Sequence, residues 1–115
     1  MANFIIECSE PWFTHIKTGA KPVEGRKGTP KWASIKIGDT ITFIDGKEGK
    51  FNATVTGVNK YEGKDALVKY LETETIARVL PGVKTSDEGI KIYSQWSTQE
   101  QISKYGFLGI QVAVI

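Results

Sequence analysis

The sequence has little of what several classes of protein require. Its 115 residues include one cysteine, Cys8, and one histidine, so an internal disulfide and a zinc site built from these ligands are excluded. No apolar run approaches the roughly 20 residues that span a bilayer, and the N-terminus lacks the basic and apolar regions of a signal peptide. We therefore expect no membrane partner, no metal, no cofactor, and a cytoplasmic location (or a nuclear one in a eukaryote).

The net charge of +2 is small, but the charge is unevenly distributed. Basic residues are concentrated between residues 17 and 36. A solvated loop with ordinary surface lysines would explain this basic stretch. A surface that attracts phosphate groups explains it too, because the nearby indoles of Trp12 and Trp32 could stack on bases. The acidic balance of residues 65–74 gives weak support to a protein partner instead. The basic stretch contains one acidic residue, Glu24, and six basic ones: Lys17, Lys21, Arg26, Lys27, Lys31 and Lys36.

Residues 3–10 and 107–115 alternate between apolar residues and polar or small ones, which is typical of half-buried strands. Between them, residues 40–45 and 51–60 read as a hairpin, and Gly57 interrupts its alternation where a bulge is expected. Because bulges bend strands, we predict that the first and last strands belong to one closed or nearly closed sheet. Cys8 then reads as a small core residue rather than a reactive thiol.

Much of the remaining chain shows helical periodicity. Residues 65–80 carry two apolar stripes that are out of phase, which predicts a break near residues 73–75. Another helix begins at Thr85, whose hydroxyl can cap it. Tyr93 and Trp96 fall on the apolar face of that helix, so the spacing predicts that both lie in the core.

Residues 12–26 are the most informative stretch. A short helix ends at Gly19, which suits the left-handed conformation after the last turn. The proline that follows Lys21 makes the chain extended, so that Glu24 and Arg26 point to the same face of a strand. A helix end thus brings an amine, a carboxylate and a guanidinium to one small region, which makes it a candidate site.

Each of these three side chains has more than one interpretation. Lys21 could be a surface lysine, a phosphate anchor or a catalytic amine, since burial and a nearby carboxylate shift the pKa of a lysine in opposite directions. Glu24 could accept hydrogen bonds from a base or ribose, or activate a water. Arg26 suits either Glu24 or a phosphate, because its planar fork fits both. The purely structural alternative is a network that pins the helix to the strand.

The neighbouring candidates are aromatic or basic. Trp12 is either a core residue or a wall of the pocket, and the hydroxyl of Tyr93 could reach a ligand from the core. Lys27 begins a turn-rich loop, residues 27–31, that could border the pocket. His15 has no serine or cysteine partner in a recognisable motif, so it gives no case for a catalytic triad.

The spacing Gly19-x-Lys21-x-x-Glu24-x-Arg26 matches the G-x-K-x-x-E-x-R signature of the ASCH (activating-signal-cointegrator homology) domains. The match is not confined to this signature, because further stretches resemble the same family in the same order and extend the resemblance over nearly the whole chain. These stretches are Pro11-Trp12, Ile35-Lys36-Ile37-Gly38-Asp39 and the late run Ile92-Tyr93…Trp96…Tyr105-Gly106.

The resemblance implies a single α+β domain over residues 1–115, a PUA-like small β-barrel of about five or six strands with flanking short helices. It also implies RNA or a modified nucleoside as the partner, because ASCH members include RNA-binding modules, proteins that cleave RNA, and enzymes that hydrolyse the amide of N4-acetylcytidine. With the residue arguments above, it makes Lys21 and Glu24 the catalytic candidates. The ligand-binding candidates are Trp12, Arg26, Lys27 and Tyr93.

One position departs from the amidohydrolase members of the family. Those members pair the lysine with a threonine three residues later, together with a separate glutamate. Here that position is Glu24, so the acetylcytidine activity does not carry over residue by residue, although a carboxylate could direct a water in place of the threonine. Two classes of function therefore remain open: a hydrolase acting on RNA or a modified nucleoside, and a non-catalytic RNA-binding module.

Overall fold

The computed structural model describes residues 1–115, which form five strands and six short helices. The strands are β1 (Asn3–Glu7), β2 (Val23–Lys27), β3 (Thr40–Ile44), β4 (Lys50–Tyr61) and β5 (Phe107–Val114). The helices are α1 (Trp12–Lys17), α2 (Pro30–Ala33), α3 (Ala66–Glu74), α4 (Ile76–Val79), α5 (Ser86–Tyr93) and α6 (Gln99–Tyr105). None of these helices combines the length and the hydrophobicity that a membrane crossing needs.

All five strands belong to one curled sheet in the order β1-β3-β4-β5-β2. The β1–β3 pair is parallel and the other three pairs are antiparallel. The prediction that the first and last strands share one sheet is confirmed, as is the predicted α+β class with a small barrel-like sheet. The sheet forms a half-barrel whose two edge strands are β1 and β2, which flank the candidate site.

The curl of the sheet has a local cause in β4. Val55 pairs with Val112, but Gly57 already pairs with Gln111, so the register shifts between these two positions of β4. This shift confirms the bulge predicted at Gly57. A Cβ at Gly57 would lie 2.5 Å from the Gln111 Oε1 atom, so the side chain of the partner strand occupies the space that glycine leaves.

Two hydrophobic cores lie on opposite faces of the strands. The first core contains residues of all strands but β2 and is covered by α1 and α2, with Phe43, Ile41 and Ile110 completely buried. The second core lies under α3 to α6, and Val23 of β2 belongs to it. Because side chains alternate along a strand, Glu24 faces the first core while Val23 faces the second.

The helices agree with the sequence in part. The predicted break in residues 65–80 is confirmed at Thr75, whose φ of 71° separates α3 from α4. The predicted cap is confirmed as well, because the Glu88 amide donates to the Thr85 hydroxyl at 3.2 Å. The prediction that Trp96 lies in the core is wrong, because Trp96 is 55% exposed. Helical spacing no longer applies at this residue, since α5 ends at Tyr93.

The turn-rich loop predicted for residues 27–31 is only partly correct. Lys27 is the last residue of β2, and Pro30 is already the first residue of α2. Proline suits that position because its fixed φ matches a helix, and because an N–H group there would have no intrahelical acceptor. The helix places Trp32 in the first core, below the candidate site.

Candidate functional site

A cleft of about 550 Å³ lies between the C-terminal end of β1 and the edge strand β2. The chain after β1 contributes Cys8 and Ser9, and β2 contributes Glu24 to Lys27. Trp12 from α1 and Tyr93 from the end of α5 complete much of its wall. The cleft therefore contains all six residues that the sequence singled out: Lys21, Glu24, Trp12, Arg26, Lys27 and Tyr93.

Lys21 is a buried amine with three oxygen neighbours. Its Nζ donates to the carbonyl oxygens of Val23 at 2.8 Å and Val79 at 2.5 Å, and lies 3.6 Å from Glu24 Oε1. Val79 is the last residue of α4, where the helix itself provides no donor for the carbonyl. Lys21 thus donates to one carbonyl of β2 and one of α4 and faces the Glu24 carboxylate as an ion-pair partner, so it ties α4 to β2.

Burial lowers the pKa of Lys21, and the neighbouring Glu24 carboxylate opposes this shift. Only 2% of the residue is exposed. A phosphate therefore has no access to its Nζ in this structure, which corrects the interpretation of Lys21 as a surface lysine or phosphate anchor. The structure instead shows a buried amine that faces the Glu24 carboxylate at the base of the cleft.

Glu24 has one occupied and one available carboxylate oxygen. Oε1 accepts the Gly25 amide at 3.1 Å and faces Lys21. Oε2 has no protein donor within hydrogen-bond distance, since the nearest cation, the Arg26 guanidinium, lies 3.9 Å away. The side chain is only 10% exposed. It is therefore a well-fixed carboxylate that can accept a hydrogen bond from a ligand or a water through Oε2.

Arg26 lies at the border of the cleft on an aromatic support. Its guanidinium lies 5.1 Å from the centre of the Trp32 ring, and the Phe4 ring stacks on the same indole at 5.0 Å. A cation held over a tryptophan face is attracted by the ring quadrupole. One-third of the Arg26 side chain remains exposed, so it is oriented by the protein while its donors stay open to a partner.

Lys27 is less free than the sequence suggested. Its Nζ donates to the Trp96 carbonyl oxygen at 3.1 Å and to Gln101 Oε1 at 3.2 Å. These contacts join the end of β2 to the segment between α5 and α6 and to the first turn of α6. An ammonium has three donors, so Lys27 keeps one donor for a ligand while it fixes the position of this segment.

Trp12 and Trp96 supply the aromatic surface of the cleft. Trp12 is half-buried and contacts the His15 ring at 5.9 Å, whereas Trp96 is 55% exposed. Sequence reasoning treated Trp96 as a core residue and missed it as a candidate. The signal that could have found it is the Thr98 cap of the next helix, which indicates that α5 ends before this point.

Cys8 was also missed as a cleft residue. It is buried, and burial, followed by the negative charge of Glu24, raises the pKa of its thiol to about 12. The thiol therefore stays neutral near pH 7, which agrees with its interpretation as a small core residue. No group of three His, Cys, Asp or Glu side chains is arranged to hold a metal ion.

Glu74 is a buried carboxylate that the sequence did not reveal. It is 2% exposed and accepts hydrogen bonds from Asn59 at 2.8 Å and from the Tyr61 hydroxyl at 2.5 Å. A Cβ at Gly109 would meet its side chain, and Gly109 pairs with Gly25, the neighbour of Glu24. Because successive side chains point to opposite faces, Glu74 and Glu24 lie on opposite faces of the sheet.

Comparisons with known proteins agree with this architecture. The sequence model of the ASCH domain matches residues 6–114. The crystal structure of hypothetical protein PH0355 is 36% identical, with a TM-score of 0.86 over 98% of this chain and 99% of the other. The solution NMR structure of protein PF0455 from Pyrococcus furiosus is 32% identical, with a TM-score of 0.78 over 98% and 97%. No curated protein matches. The chain belongs to the ASCH domain family.

Proposed function

We propose that this ASCH domain binds RNA by taking an unpaired nucleoside into the cleft. One observation carries the proposal: the fixed carboxylate of Glu24 presents Oε2 to a cleft with aromatic walls and Arg26 at its border. A carboxylate oxygen accepts hydrogen bonds from base amino groups or ribose hydroxyls, and indoles stack on bases of any sequence. Membership of a family associated with RNA gives independent support.

The acidic interior and the basic border of the cleft suit the base and the phosphates of a nucleotide, respectively. Glu24 offers an acceptor inside, where an isolated phosphate would be repelled, and the basic side chains lie farther out. Arg26 is one-third exposed and Lys31, over Trp32, is exposed. A base can therefore contact Glu24 while its phosphates contact the basic border, which is the division between specifying and positioning contacts that nucleic-acid sites use.

Hydrolysis in the same cleft is a second candidate function. The favouring observation is the pair formed by Lys21 and Glu24, in which the amine holds Oε1 and Oε2 is left to accept a proton from a water. The reaction would be attack of that water on the carbonyl carbon of an amide of a modified nucleoside, with cleavage of the C–N bond, or on the phosphorus of a phosphodiester, with cleavage of a P–O bond. In either case Glu24 would take the proton of the water and return it to the departing nitrogen or oxygen. A positioned carboxylate of this kind can act as a general base.

The affinity for single-stranded RNA is expected to fall steeply as the salt concentration rises, with Lys27 and Lys31 responsible for part of the dependence. Each phosphate neutralised releases counterions, and the slope of log K against log salt is about −0.7 per phosphate for a single strand. The double variant Lys27→Ala/Lys31→Ala should therefore reduce the slope by about 1.4 if each lysine holds one phosphate. Fluorescence anisotropy of a labelled octamer measures both quantities.

The matched control is Lys60→Ala/Lys64→Ala, which removes two exposed lysines that do not line the cleft. This control should weaken binding little and leave the slope close to that of the wild type. An affinity that does not respond to salt, or equal effects of the two double variants, would contradict the proposed orientation of RNA on this face.

A further inference from the structure

Two tyrosine hydroxyls from different helices form an isolated hydrogen-bonded pair behind the cleft. Tyr70 of α3 and Tyr93 of α5 have their hydroxyl oxygens 2.7 Å apart, and their rings meet edge to face at 5.5 Å. Tyr93 lines the cleft, whereas Tyr70 does not and is 0% exposed. The pair thus connects the second core to the candidate site.

The direction of this hydrogen bond follows from burial. The Tyr70 hydroxyl has no partner other than the Tyr93 hydroxyl. The backbone of β2 covers it at Gly25, where a Cβ would lie 2.5 Å from its oxygen. A fully buried O–H without an acceptor costs free energy that native structures avoid. Tyr70 therefore donates, and the oxygen of Tyr93 accepts.

We infer that Tyr70 fixes Tyr93 as a hydrogen-bond donor to the cleft. The Tyr93 hydroxyl and the Glu24 carboxylate then bind the edge of a ligand that carries an acceptor next to a donor. The carbonyl or ring-nitrogen and N–H groups on the edge of a nucleobase have this chemistry, whereas a phosphate offers only acceptors. This inference rests on the proposed function for the identity of its ligand, but the direction of the hydrogen bond does not depend on it.

The protonation of the pair supports a donor role. Burial raises the pKa of Tyr70 well above its ordinary value. Burial, followed by the negative charge of Glu24, likewise raises the pKa of Tyr93. Both hydroxyls therefore keep their protons over the physiological pH range, so Tyr93 retains a proton to donate.

The direction is tested by NMR on protein labelled with carbon-13 at the tyrosine ζ-carbon, in an equal mixture of light and heavy water. A slowly exchanging hydroxyl splits the ζ-carbon signal of its own ring into two, because the hydrogen and deuterium forms are then seen separately. We expect a split signal for Tyr70 and a single averaged signal for Tyr93, with assignments from Tyr70→Phe and Tyr93→Phe. A split signal at Tyr93, or none at Tyr70, would overturn the inference.

The ligand is tested with two labelled octamers of equal charge, a single-stranded RNA and an abasic ribose-phosphate chain. Tyr93→Phe should weaken binding of the RNA about threefold to tenfold, the range expected for one hydrogen bond, and leave binding of the abasic chain unchanged. Equal losses for the two octamers would overturn the assignment of a base edge. If the wild type binds neither octamer, both the proposed function and the proposed ligand are wrong. The ζ-carbon NMR signals still decide the direction of the hydrogen bond in that case.

Discussion

If the cleft hydrolyses its ligand, replacing Glu24 with glutamine is expected to lower the rate of hydrolysis by about 10²–10⁴-fold, the usual contribution of positioned proton transfer, while the affinity for the ligand changes only a few-fold. The amide keeps the shape of the side chain and can still accept at its oxygen, but it does not take a proton at neutral pH. Products from short single-stranded RNA and from a panel of N4-acylated cytidines would be followed by mass spectrometry.

The matched control is Glu72→Gln, because Glu72 is an exposed carboxylate of α3 that does not line the cleft. Turnover that survives Glu24→Gln would remove this glutamate from the mechanism. A wild-type protein that binds RNA and never forms product would establish the non-catalytic module, and Glu24→Gln would then act on affinity alone.

Replacing Lys21 with methionine is expected to reduce the free energy of unfolding by about 3–5 kcal/mol, the usual effect of breaking a buried ion pair by removing one partner. Methionine has a similar length, but it leaves two carbonyl groups without their donor and Glu24 without its nearest cation. The total stability of a domain is typically about 5–15 kcal/mol, so this one change removes a large part of it. Chemical denaturation at pH 7 measures the loss.

Lys17→Met, on the exposed side of α1, is the control and should change stability by less than about 0.5 kcal/mol. Adding Glu24→Gln to Lys21→Met should restore part of the lost stability, because the unpaired buried charge is then neutral. If Lys21→Met is as stable as the wild type, the contacts of Lys21 with Val23 and Val79 do not hold α4 against β2.

The stability difference between the wild type and Lys21→Met should also depend on pH. Burial lowers the pKa of Lys21 below its ordinary value of 10.5. Between the lowered folded value and 10.5, the unfolded chain binds more protons than the folded one, so the free energy of unfolding of the wild type rises with pH. Lys21→Met lacks this contribution, and the difference between the two proteins should therefore widen towards pH 10.

The candidate site was predictable from the sequence because its central residues are close along the chain. Gly19 ends α1 with a φ of 86°, and alternation along β2 brings Glu24 and Arg26 to the face that Lys21 approaches. Such short-range geometry needs only the helix stop and the period of a strand. The roles of these residues in binding or catalysis remain predictions.

The contacts that fix these residues were not predictable, because they come from distant parts of the chain. Val79 lies 58 positions after Lys21, and its carbonyl becomes an acceptor only because Thr75 ends α3 and starts α4 in a new direction. Tyr70 reaches Tyr93 only because Gly25 leaves space for its hydroxyl. Periodicity records which face of a helix is apolar, but it does not record which residues meet there.

One residue was misplaced and another was not singled out, for different physical reasons. Trp96 was placed in the core because helical spacing was extended beyond the actual end of α5 at Tyr93. The sequence does not single out Glu74, because the hydrogen bonds from Asn59 and Tyr61 that make its burial tolerable come from another element. The burial of Glu74 thus depends on tertiary packing, whereas the exposure of Trp96 follows from where α5 ends.

The three indole N–H signals of the protein test most directly whether RNA binds in the cleft beside Glu24. Trp12 and Trp96 line the cleft, whereas Trp32 is buried beneath Arg26. On titration with a single-stranded RNA octamer, the signals of Trp12 and Trp96 should shift together and saturate at the affinity measured by anisotropy. Saturable shifts confined to the outer face of β3 and β4, with Trp12 and Trp96 unchanged, would contradict the account.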